Sequence, residues 1–535
     1  MLPRDRLPTH EVENQPDEPG DRDLWAEDPI LRAAAGAAGA EAGLLSAHAR
    51  ALGTAQMAEA AREAERTGPE LKTFDRGGRR LDEVRFPAGY HSLLRLGLGA
   101  GYAALPWSGA AGGHATHAAM VYLHSQVEPG TCCPMTMTYA AVPALEADPG
   151  LAALWRPRLS AAAYDPAVAP VAEKTAATLG MAMTEKQGGS DVRANTTRAE
   201  PADGAYRLTG HKWFCSAPMS DGFLTLAQAP GGLTCFLVPR WLEEGRNAIH
   251  LMRLKDKLGN RANASAEIEY HGAVAHRLGD EGAGVRTIIE MVHHTRLDTA
   301  MAPAGLMRAA LAEAMRWVSG RRAFQRRLVD QPLMRSVLAD LALDLEGAAA
   351  LAFRTARAFD DPAERPFARI AVALAKYLSN KRCPTVIAEA MEVLGGMGYV
   401  ADTPLPMLYR EAPLNGIWEG SGNVICLDIL RTLSRDPDAR AALERELAAP
   451  AGASRAYDAA LAAYRDRWRD GPDEAAARAF AEETAHLLAA AILAPDTPDI
   501  ADSYVRARLT HRPLTPGTVT GLSTDSLLAR LAPPA

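Results

Sequence analysis

The stretch Ile417-Trp418-Glu419-Gly420-Ser421-Gly422-Asn423 places one carboxylate between a tryptophan and a run of small residues, directly before an apolar helix. A glutamate in a tight, partly apolar loop can abstract a proton, because desolvation brings its pKa toward the working pH. The small residues let a ligand approach the backbone closely. The pattern therefore fits a catalytic base beside a planar cofactor, with Glu419 as the base. Taken alone, it also fits an ordinary loop at the start of a helix.

The composition is that of an ordinary globular protein with several domains. The chain has 535 residues, of which 48% are hydrophobic and 23% charged. Its net charge of -7 does not favour a surface that binds polyanions. The six cysteines show no metal-ligand spacing and read as reduced thiols. With no signal peptide and no apolar run of about 18–20 residues, we expect a cytoplasmic protein without a membrane segment or a metal site.

Helical and strand-like patterns alternate along the chain. Segments with apolar residues at helical spacing, interrupted by Gly and Pro, predict a helical domain over residues 1–179. Helical periodicity returns at Val285 and predicts a helical bundle over 286–436 and a further helical domain over 437–535. Between them, four strand-like runs predict a β-domain over 180–285: Tyr206–Phe214, Gly222–Gln228, Leu233–Val238 and Ser265–Tyr270. The predicted class is mainly α with a β-domain.

Two further motifs suit a flavin. The first, Met181–Asp191, contains Gly188-Gly189, and the converging amides of such a loop can hold a phosphate or the carbonyls of a flavin ring. It also fits a polar loop that leads into the β-domain. The second, His211–Ser216, places bulky aromatics beside a hydroxyl at a strand end. The aromatics could cover one face of an isoalloxazine ring, and the hydroxyl could hydrogen-bond its edge. An aromatic residue in a strand is more often simply part of the core.

Five motifs in this order resemble the acyl-CoA dehydrogenase superfamily. Three of them are the loops already described, which are similar to its Thr-Glu-x-x-x-Gly-Ser-Asp, Lys-x-Trp-Ile-Thr and Tyr-Glu-Gly-Thr signatures. Arg321–Phe324 is similar to its Arg-x-x-Phe-Gly, and Glu392–Tyr399 to its Gln-x-x-Gly-Gly-x-Gly. The resemblance implies a helical domain, a β-barrel-like domain and a helical-bundle domain, with FAD as the cofactor and an acyl-CoA as the substrate.

Other stretches resemble the AidB-like adaptive-response flavoproteins of this superfamily, among them Arg79–Phe86, Gln126–Thr138 and Arg253–Arg261. This resemblance implies weak dehydrogenase activity, binding of double-stranded DNA through the last domain, and protection against alkylation damage. Two alternatives stay open. One is an ordinary short- or branched-chain acyl-CoA dehydrogenase whose C-terminal extension serves only assembly. The other is a non-catalytic DNA-binding or scaffolding protein that retains flavin for stability.

The resemblance also implies residue roles. Glu419 stands at the position of the base, and Thr295 occupies the site where some relatives carry the base instead. FAD contacts within the subunit are implied for Met183, Thr184, Ser190, Phe214, Ser216, Trp418 and Asn423. Contacts with the FAD of a partner subunit are implied for Arg321, Phe324, Gly395 and Gly396, which points to a homotetramer. Trp418 replaces the usual Tyr and is expected to crowd the acyl pocket.

The last domain gives weak support to a DNA site. From Ala441 to Ala535 it contains ten Arg and no Lys against thirteen Asp and Glu, whereas phosphate binding needs a basic cluster. The cluster Arg465–Arg469 is interleaved with acids and reads as a salt-bridged helix. The segment with Arg506, Arg508 and Arg512 is predicted to lack nearby acids and is the better candidate, and Arg431 is expected to join it in three dimensions.

Overall fold

The computed structural model describes residues 4–532. Its N-terminal part is mainly helical, and several helices begin at residues whose side chains cap the first free amides. Asp28, Thr54 and Asp148 accept such hydrogen bonds from the backbone of the helices that follow them. The helices are α1 (Pro29–Ala37), α2 (Ala42–Leu52), α3 (Ala55–Thr67), α4 (Ala88–Gly99), α5 (Gly113–Val127), α6 (Cys132–Leu145) and α7 (Pro149–Leu159).

The region predicted as a helical domain, residues 1–179, also contains two strands between α3 and α4 that the sequence did not predict. Strands β1 (Glu70–Phe74) and β2 (Arg80–Arg85) form an antiparallel hairpin there. Its turn is held by Asp75, which accepts hydrogen bonds from the amides of Gly77 and Arg79. The hairpin lies against the β-domain, because the Leu251 amide donates to Asp82. The two strands pair with each other, and this contact with a residue distant in sequence adds support that the local hydrophobic pattern does not show.

The β-domain is a closed sheet. Strand β11 pairs with β5 and β7, β6 pairs with β7 and β4, and β4 pairs with β5, so the five strands return to their starting point. The hairpin β6–β7 turns at Pro230-Gly231, between two of the predicted strand-like runs. The strands are β3 (Leu179–Ala182), β4 (Arg198–Ala202), β5 (Ala205–Ser216), β6 (Gly222–Ala229), β7 (Gly232–Pro239), β8 (Trp241–Leu242), β9 (Gly245–Arg246), β10 (Ile249–Leu254) and β11 (Ser265–Leu278).

Three long helices follow and pack against one another and against α5. They are α8 (Gly284–Gly320), α9 (Pro332–Asp360) and α10 (Arg365–Val393), followed by α11 (Leu405–Glu411) and α12 (Gly422–Arg435). A two-residue turn, Phe324-Gln325, joins the short strands β12 (Arg322–Ala323) and β13 (Arg326–Arg327). Both turn residues have positive φ, 51° and 64°, a conformation that favours glycine. This bundle provides the helices that surround Glu419.

The C-terminal helices pack on this bundle rather than apart from it. Helix α15 lies against α9 and α10, and α17 lies against α9. Ion pairs join the two layers, among them Arg530 with Glu346. The helices are α13 (Pro437–Ala448), α14 (Arg455–Arg467), α15 (Ala477–Leu493), α16 (Pro498–Tyr504), a π-helical turn at Val505–His511, and α17 (Thr524–Leu531). None of the helices within residues 4–532 is long and apolar enough to cross a membrane.

Candidate active site

Glu419 lies in a short loop between the turn Leu414–Gly416 and helix α12. Its φ is +56° and that of Gly420 is +98°. A non-glycine residue with positive φ carries backbone strain, and such strain is concentrated at functional sites. The neighbouring Trp418 is fixed in orientation, because its indole Nε1 donates to Asn415 Oδ1 at 2.7 Å. The loop therefore holds Glu419 in a defined, strained conformation.

A buried lysine ties the two ends of this loop together. Lys376 Nζ, on α10, donates to the carbonyl oxygens of Asn415 at 2.8 Å and Gly420 at 2.9 Å. The residue is 2% exposed, and burial lowers its pKa to about 7. Neutral or charged, the amine has enough hydrogens for both carbonyls. The sequence did not predict this role of Lys376, because no pattern in the segment around Lys376 links it to the loop.

Replacing Lys376 by Met is expected to loosen the loop. The buried carbonyls of Asn415 and Gly420 would lose their partner, at a cost of about 1–3 kcal/mol for each unpaired group. Faster amide hydrogen exchange across residues 415–421, together with a lower midpoint of thermal unfolding, would show this. Lys381→Met is the matched control, because Lys381 is exposed on the same helix. Equal exchange rates in the two variants would contradict the assignment.

The carboxylate of Glu419 faces helix α8. Thr295 Oγ1 donates to Glu419 Oε2 at 2.8 Å, and Arg296 Nε donates to the Glu419 carbonyl at 3.2 Å. Arg296 is in turn held by Asp428 of α12 at 2.7 Å. Burial raises the pKa of Glu419 above its ordinary value of 4.5, although the Thr295 hydroxyl and the positive charges of Lys376 and Arg296 act against this rise. A raised pKa suits a group that must accept a proton near neutral pH.

The predicted flavin edge lies at the end of strand β5. The Trp213 amide donates to the Thr184 carbonyl at 2.8 Å, which ties the loop after β3 to β5. Beneath it, Lys212 and Glu185 form a fully buried ion pair at 2.8 Å. Glu185 also accepts from Thr196 and Thr197, so it is structural rather than a ligand-binding group. The loop and the strand therefore form one rigid surface.

This surface fits an isoalloxazine ring. Phe214 is 46% exposed although it lies in a strand, so one face of its ring is open to a planar partner. The Ser216 hydroxyl, two residues along on the same face of the strand, lies at the long distance of 3.4 Å from Ser265 Oγ. Gly189 packs so closely on Thr184 that an added Cβ would meet Thr184 Oγ1 at 2.4 Å. An exposed aromatic ring, a nearby hydroxyl and a loop whose close packing needs a glycine are groups that suit the binding of FAD here.

The base and the flavin edge share one region. The Cys133 thiol of α6 interacts with the Ser216 hydroxyl and with the charge of Glu419, and burial raises its pKa to about 12. The thiol is therefore neutral at physiological pH. Cys133 is thus influenced by both Glu419 and Ser216, which lie in separate domains of the predicted division. Cys133 was not identified as part of the site from the sequence.

The remaining predicted FAD contacts lie around this centre or at the surface. Met183 is partly buried, and its carbonyl accepts from Asn195 at 3.0 Å, while Ser190 and Asn423 are exposed. Arg321 donates to the Asn14 carbonyl at 2.9 Å. Phe324 is 94% exposed, and an added Cβ at Gly395 or Gly396 would meet no atom of the described residues within 4 Å. Surface positions are what a contact with a partner subunit requires, and this contact stays a prediction.

The predicted DNA contacts of the C-terminal helices need correction. Arg508 is 6% exposed and forms ion pairs with Asp340 at 2.6 Å and Asp344 at 2.7 Å, so it does not reach a DNA phosphate. Arg512 is exposed but paired with Glu483 at 2.8 Å. The statement that this segment lacks nearby acids is therefore wrong, because the acids come from other helices. Arg431 and Arg506 are exposed and form no ion pair within residues 4–532.

No group of three or more His, Cys, Asp or Glu side chains in residues 4–532 is arranged to hold a metal ion.

Three family models match consecutive parts of the chain. One described as the adaptive response protein AidB N-terminal domain matches residues 14–166. The acyl-CoA dehydrogenase middle domain matches residues 180–273, and the acyl-CoA dehydrogenase C-terminal domain matches residues 282–434. Together they cover most of the chain before the C-terminal helices.

Individual relatives agree with these matches. The chain is 45% identical to the AidB protein of Escherichia coli (strain K12) over 476 residues, which is 87% of this chain and 88% of that one. It is 32% identical to acyl-CoA dehydrogenase family member 11 of Caenorhabditis elegans over 404 residues, 71% of this chain and 65% of that one.

Solved structures confirm the predicted fold. The crystal structure of Caenorhabditis elegans ACDH-11 in complex with C11-CoA has a TM-score of 0.85 at 27% identity, covering 95% of this chain and 94% of that chain. An acyl-CoA dehydrogenase from Bacillus anthracis, complexed with FAD, has a TM-score of 0.64 at 16% identity, with coverage of 83% and 82%. The chain therefore belongs to the acyl-CoA dehydrogenase family and, within it, to the AidB type of FAD-dependent oxidoreductases that act on the CH–CH bond of acyl-CoA.

Proposed function

We propose that Glu419 removes the α-proton of an acyl-CoA thioester in an FAD-dependent dehydrogenation. The observation that supports this is the Glu419 carboxylate itself, which is partly buried, raised in pKa and held beside the predicted flavin edge. The α C–H bond breaks and its proton forms an O–H bond on Glu419. FAD, when bound, supplies the acceptor for the hydride that leaves the β-carbon. The product is the α,β-unsaturated thioester.

The remaining residues of the site have binding roles in this proposal. Phe214 covers one face of the ring, and Ser216 and Thr184 donate to its polar edge. Met183, Ser190 and Asn423 complete the contacts within the subunit. Arg321, Phe324, Gly395 and Gly396 reach the FAD of a partner subunit in a homotetramer, for which their surface positions are the support. Trp418, fixed by Asn415, narrows the acyl pocket and favours weak turnover of ordinary thioesters.

The test is direct reduction of the bound flavin. Purified protein that carries FAD is mixed anaerobically with a panel of saturated acyl-CoA thioesters of increasing chain length, and the flavin absorbance is followed. Bleaching by at least one chain length, with formation of the enoyl-CoA, supports the proposal. Protein that holds FAD but is bleached by none of them would overturn it.

A second candidate function is binding of double-stranded DNA in the cytoplasm as part of protection against alkylation damage. It rests on membership of the AidB type and on the exposed Arg431 and Arg506, which form no ion pair in the part of the chain that the structure describes. The alternative, a C-terminal domain that serves only assembly, is favoured by the ion pairs of Arg465, Arg467 and Arg512 with acids of the same domain. The cytoplasmic location is supported by six buried free cysteines.

A double variant separates these two possibilities. Replacing Arg431 and Arg506 by Gln is expected to weaken binding of duplex DNA and to reduce the slope of log Kd against log salt by about 0.9 for each phosphate that is no longer neutralised. Titrations at several salt concentrations measure this slope. Arg465→Gln with Arg469→Gln is the matched control, because both of these arginines are paired with acids. An unchanged slope in the first variant, or no binding by the parent protein, would favour the assembly role.

A further inference from the structure

The Thr295 hydroxyl has one hydrogen and two acceptors within reach. Its Oγ1 lies 2.8 Å from Glu419 Oε2 and 3.1 Å from the Val292 carbonyl, one turn back in α8. A hydroxyl donates one hydrogen bond at a time but can accept others. The residue is 2% exposed, so water does not compete freely for either position. The two acceptors therefore define two alternative orientations of the hydroxyl.

We propose that Thr295 is a positioning residue that pairs with Glu419 in both of its protonation states, by turning its hydroxyl between Glu419 and Val292. The proposal rests on the proposed role of Glu419 as the base and concerns what the base needs in order to work. Thr295 does not touch the reacting atoms. It acts on the orientation and proton affinity of Glu419.

In the ionised state, Thr295 donates to Glu419 Oε2, as the 2.8 Å distance shows. This hydrogen bond stabilises the carboxylate that is needed to attack the α-proton. After the proton has been taken, Glu419 carries an O–H and needs an acceptor. Thr295 can then turn its hydrogen to the Val292 carbonyl and offer an oxygen lone pair to the new O–H. Thr295 and Glu419 therefore stay hydrogen-bonded to each other in both states, so neither side chain is left without a partner.

The other groups that face Glu419 cannot replace this role. Lys376 of α10 and Arg296 of α8 are donors only, and their contacts go to backbone carbonyls of the loop and to Asp428. The Cys133 thiol of α6 is neutral and a weak hydrogen-bonding group. Among the described residues, Thr295 is the side chain that hydrogen-bonds the Glu419 carboxylate, and it can both donate and accept.

Removing the Thr295 hydroxyl costs the ionised state more than the protonated one, because a hydrogen bond to a carboxylate is about twice as strong as one between neutral groups. A donor that stabilises the carboxylate lowers the pKa of Glu419, and burial already holds that pKa above 4.5. Removing the hydroxyl raises the pKa further. The rise of kcat/KM with pH reports the base of the free enzyme. In a variant without the hydroxyl, this rise is therefore expected about one pH unit higher, since one unit corresponds to the loss of about 1.4 kcal/mol.

The experiment compares Thr295→Val, which keeps the branched shape, with Thr295→Ser, which keeps the hydroxyl. The pH profile of kcat/KM should move to higher pH in Thr295→Val and stay close to the parent profile in Thr295→Ser. Thr295→Ala serves as the second hydroxyl-free variant if Thr295→Val does not hold FAD. Infrared titration of the protein without substrate gives an independent pKa, from a carboxylic acid band that Glu419→Gln lacks.

The outcomes separate this proposal from the function on which it rests. A pH profile and an infrared pKa that are unchanged without the hydroxyl, while Glu419→Gln is inactive, would overturn the role of Thr295 and leave the base assigned. Full activity of Glu419→Gln would instead overturn the base. A shift in Thr295→Ser as large as that in Thr295→Val would indicate a steric effect and would also overturn the hydroxyl role.

Discussion

Replacement of Glu419 by Gln is expected to lower kcat for acyl-CoA dehydrogenation by about 10²–10⁴-fold, the contribution of a positioned general base. Gln keeps the size of the side chain and can still accept a hydrogen bond from Thr295, but it cannot take the α-proton. The content of bound FAD and the midpoint of thermal unfolding should be unchanged. Turnover of an acyl-CoA with an artificial electron acceptor measures the loss.

A matched control makes this result specific. Glu173→Gln removes the same charge from an exposed position and should leave kcat and flavin content at the parent values. A Glu419→Gln protein that reduces its flavin with acyl-CoA as fast as the parent would show that another group is the base. Loss of flavin from the variant would instead show that Glu419 is needed for the structure of the site.

Replacement of Arg508 by Met is expected to cost about 3–5 kcal/mol of stability, the effect of breaking a buried ion pair from one side. Arg508 pairs with Asp340 and Asp344 of α9, and Met would leave Asp340 without its cation. The C-terminal helices should then detach from the bundle at lower temperature. A lower thermal midpoint and faster proteolysis after α12 would measure this.

Arg506→Met is the matched control, because Arg506 lies two residues away and is exposed without an ion pair in residues 4–532. It should change the free energy of unfolding by no more than about 0.5 kcal/mol, the small range that is typical of surface substitutions. Equal stability of the two variants would contradict a structural role for Arg508. Weaker DNA binding by Arg506→Met, with unchanged stability, would agree with the proposed DNA surface.

The loss of stability in Arg508→Met should depend on pH in a defined direction. Burial raises the pKa of Asp344, but Arg508 and Arg382 lower it to about 2, below the ordinary 3.8. A carboxylate with a depressed pKa contributes stability that is present above its unfolded pKa and lost as the pH falls through its folded pKa. The difference between parent and variant is therefore largest above pH 3.8 and shrinks as the pH falls toward 2.

Much of the fold could be predicted because its signals are local. The runs Gly222–Gln228 and Leu233–Val238, separated by a Pro-Gly-Gly turn, form the hairpin β6–β7. The apolar spacing after Val285 corresponds to α8, α9 and α10. The hairpin of Glu70–Phe74 and Arg80–Arg85 was missed, because its pattern is weak and its second strand depends on contact with Leu251, which lies far away in the chain.

The sequence by itself determined the family and the fold class, and it predicted Glu419 as the base, since each depends on short contiguous motifs such as Trp418-Glu419-Gly420. Tertiary structure alone decided what surrounds that base. Thr295 and Arg296 are separated from Glu419 by 124 and 123 positions, and Lys376 contacts Gly420 across 44. Tertiary structure likewise decided that Arg508 is an internal cation, because Asp344 lies 164 positions away. Charge partners and burial depend on how helices pack, and residues close in space but distant in sequence leave no local pattern.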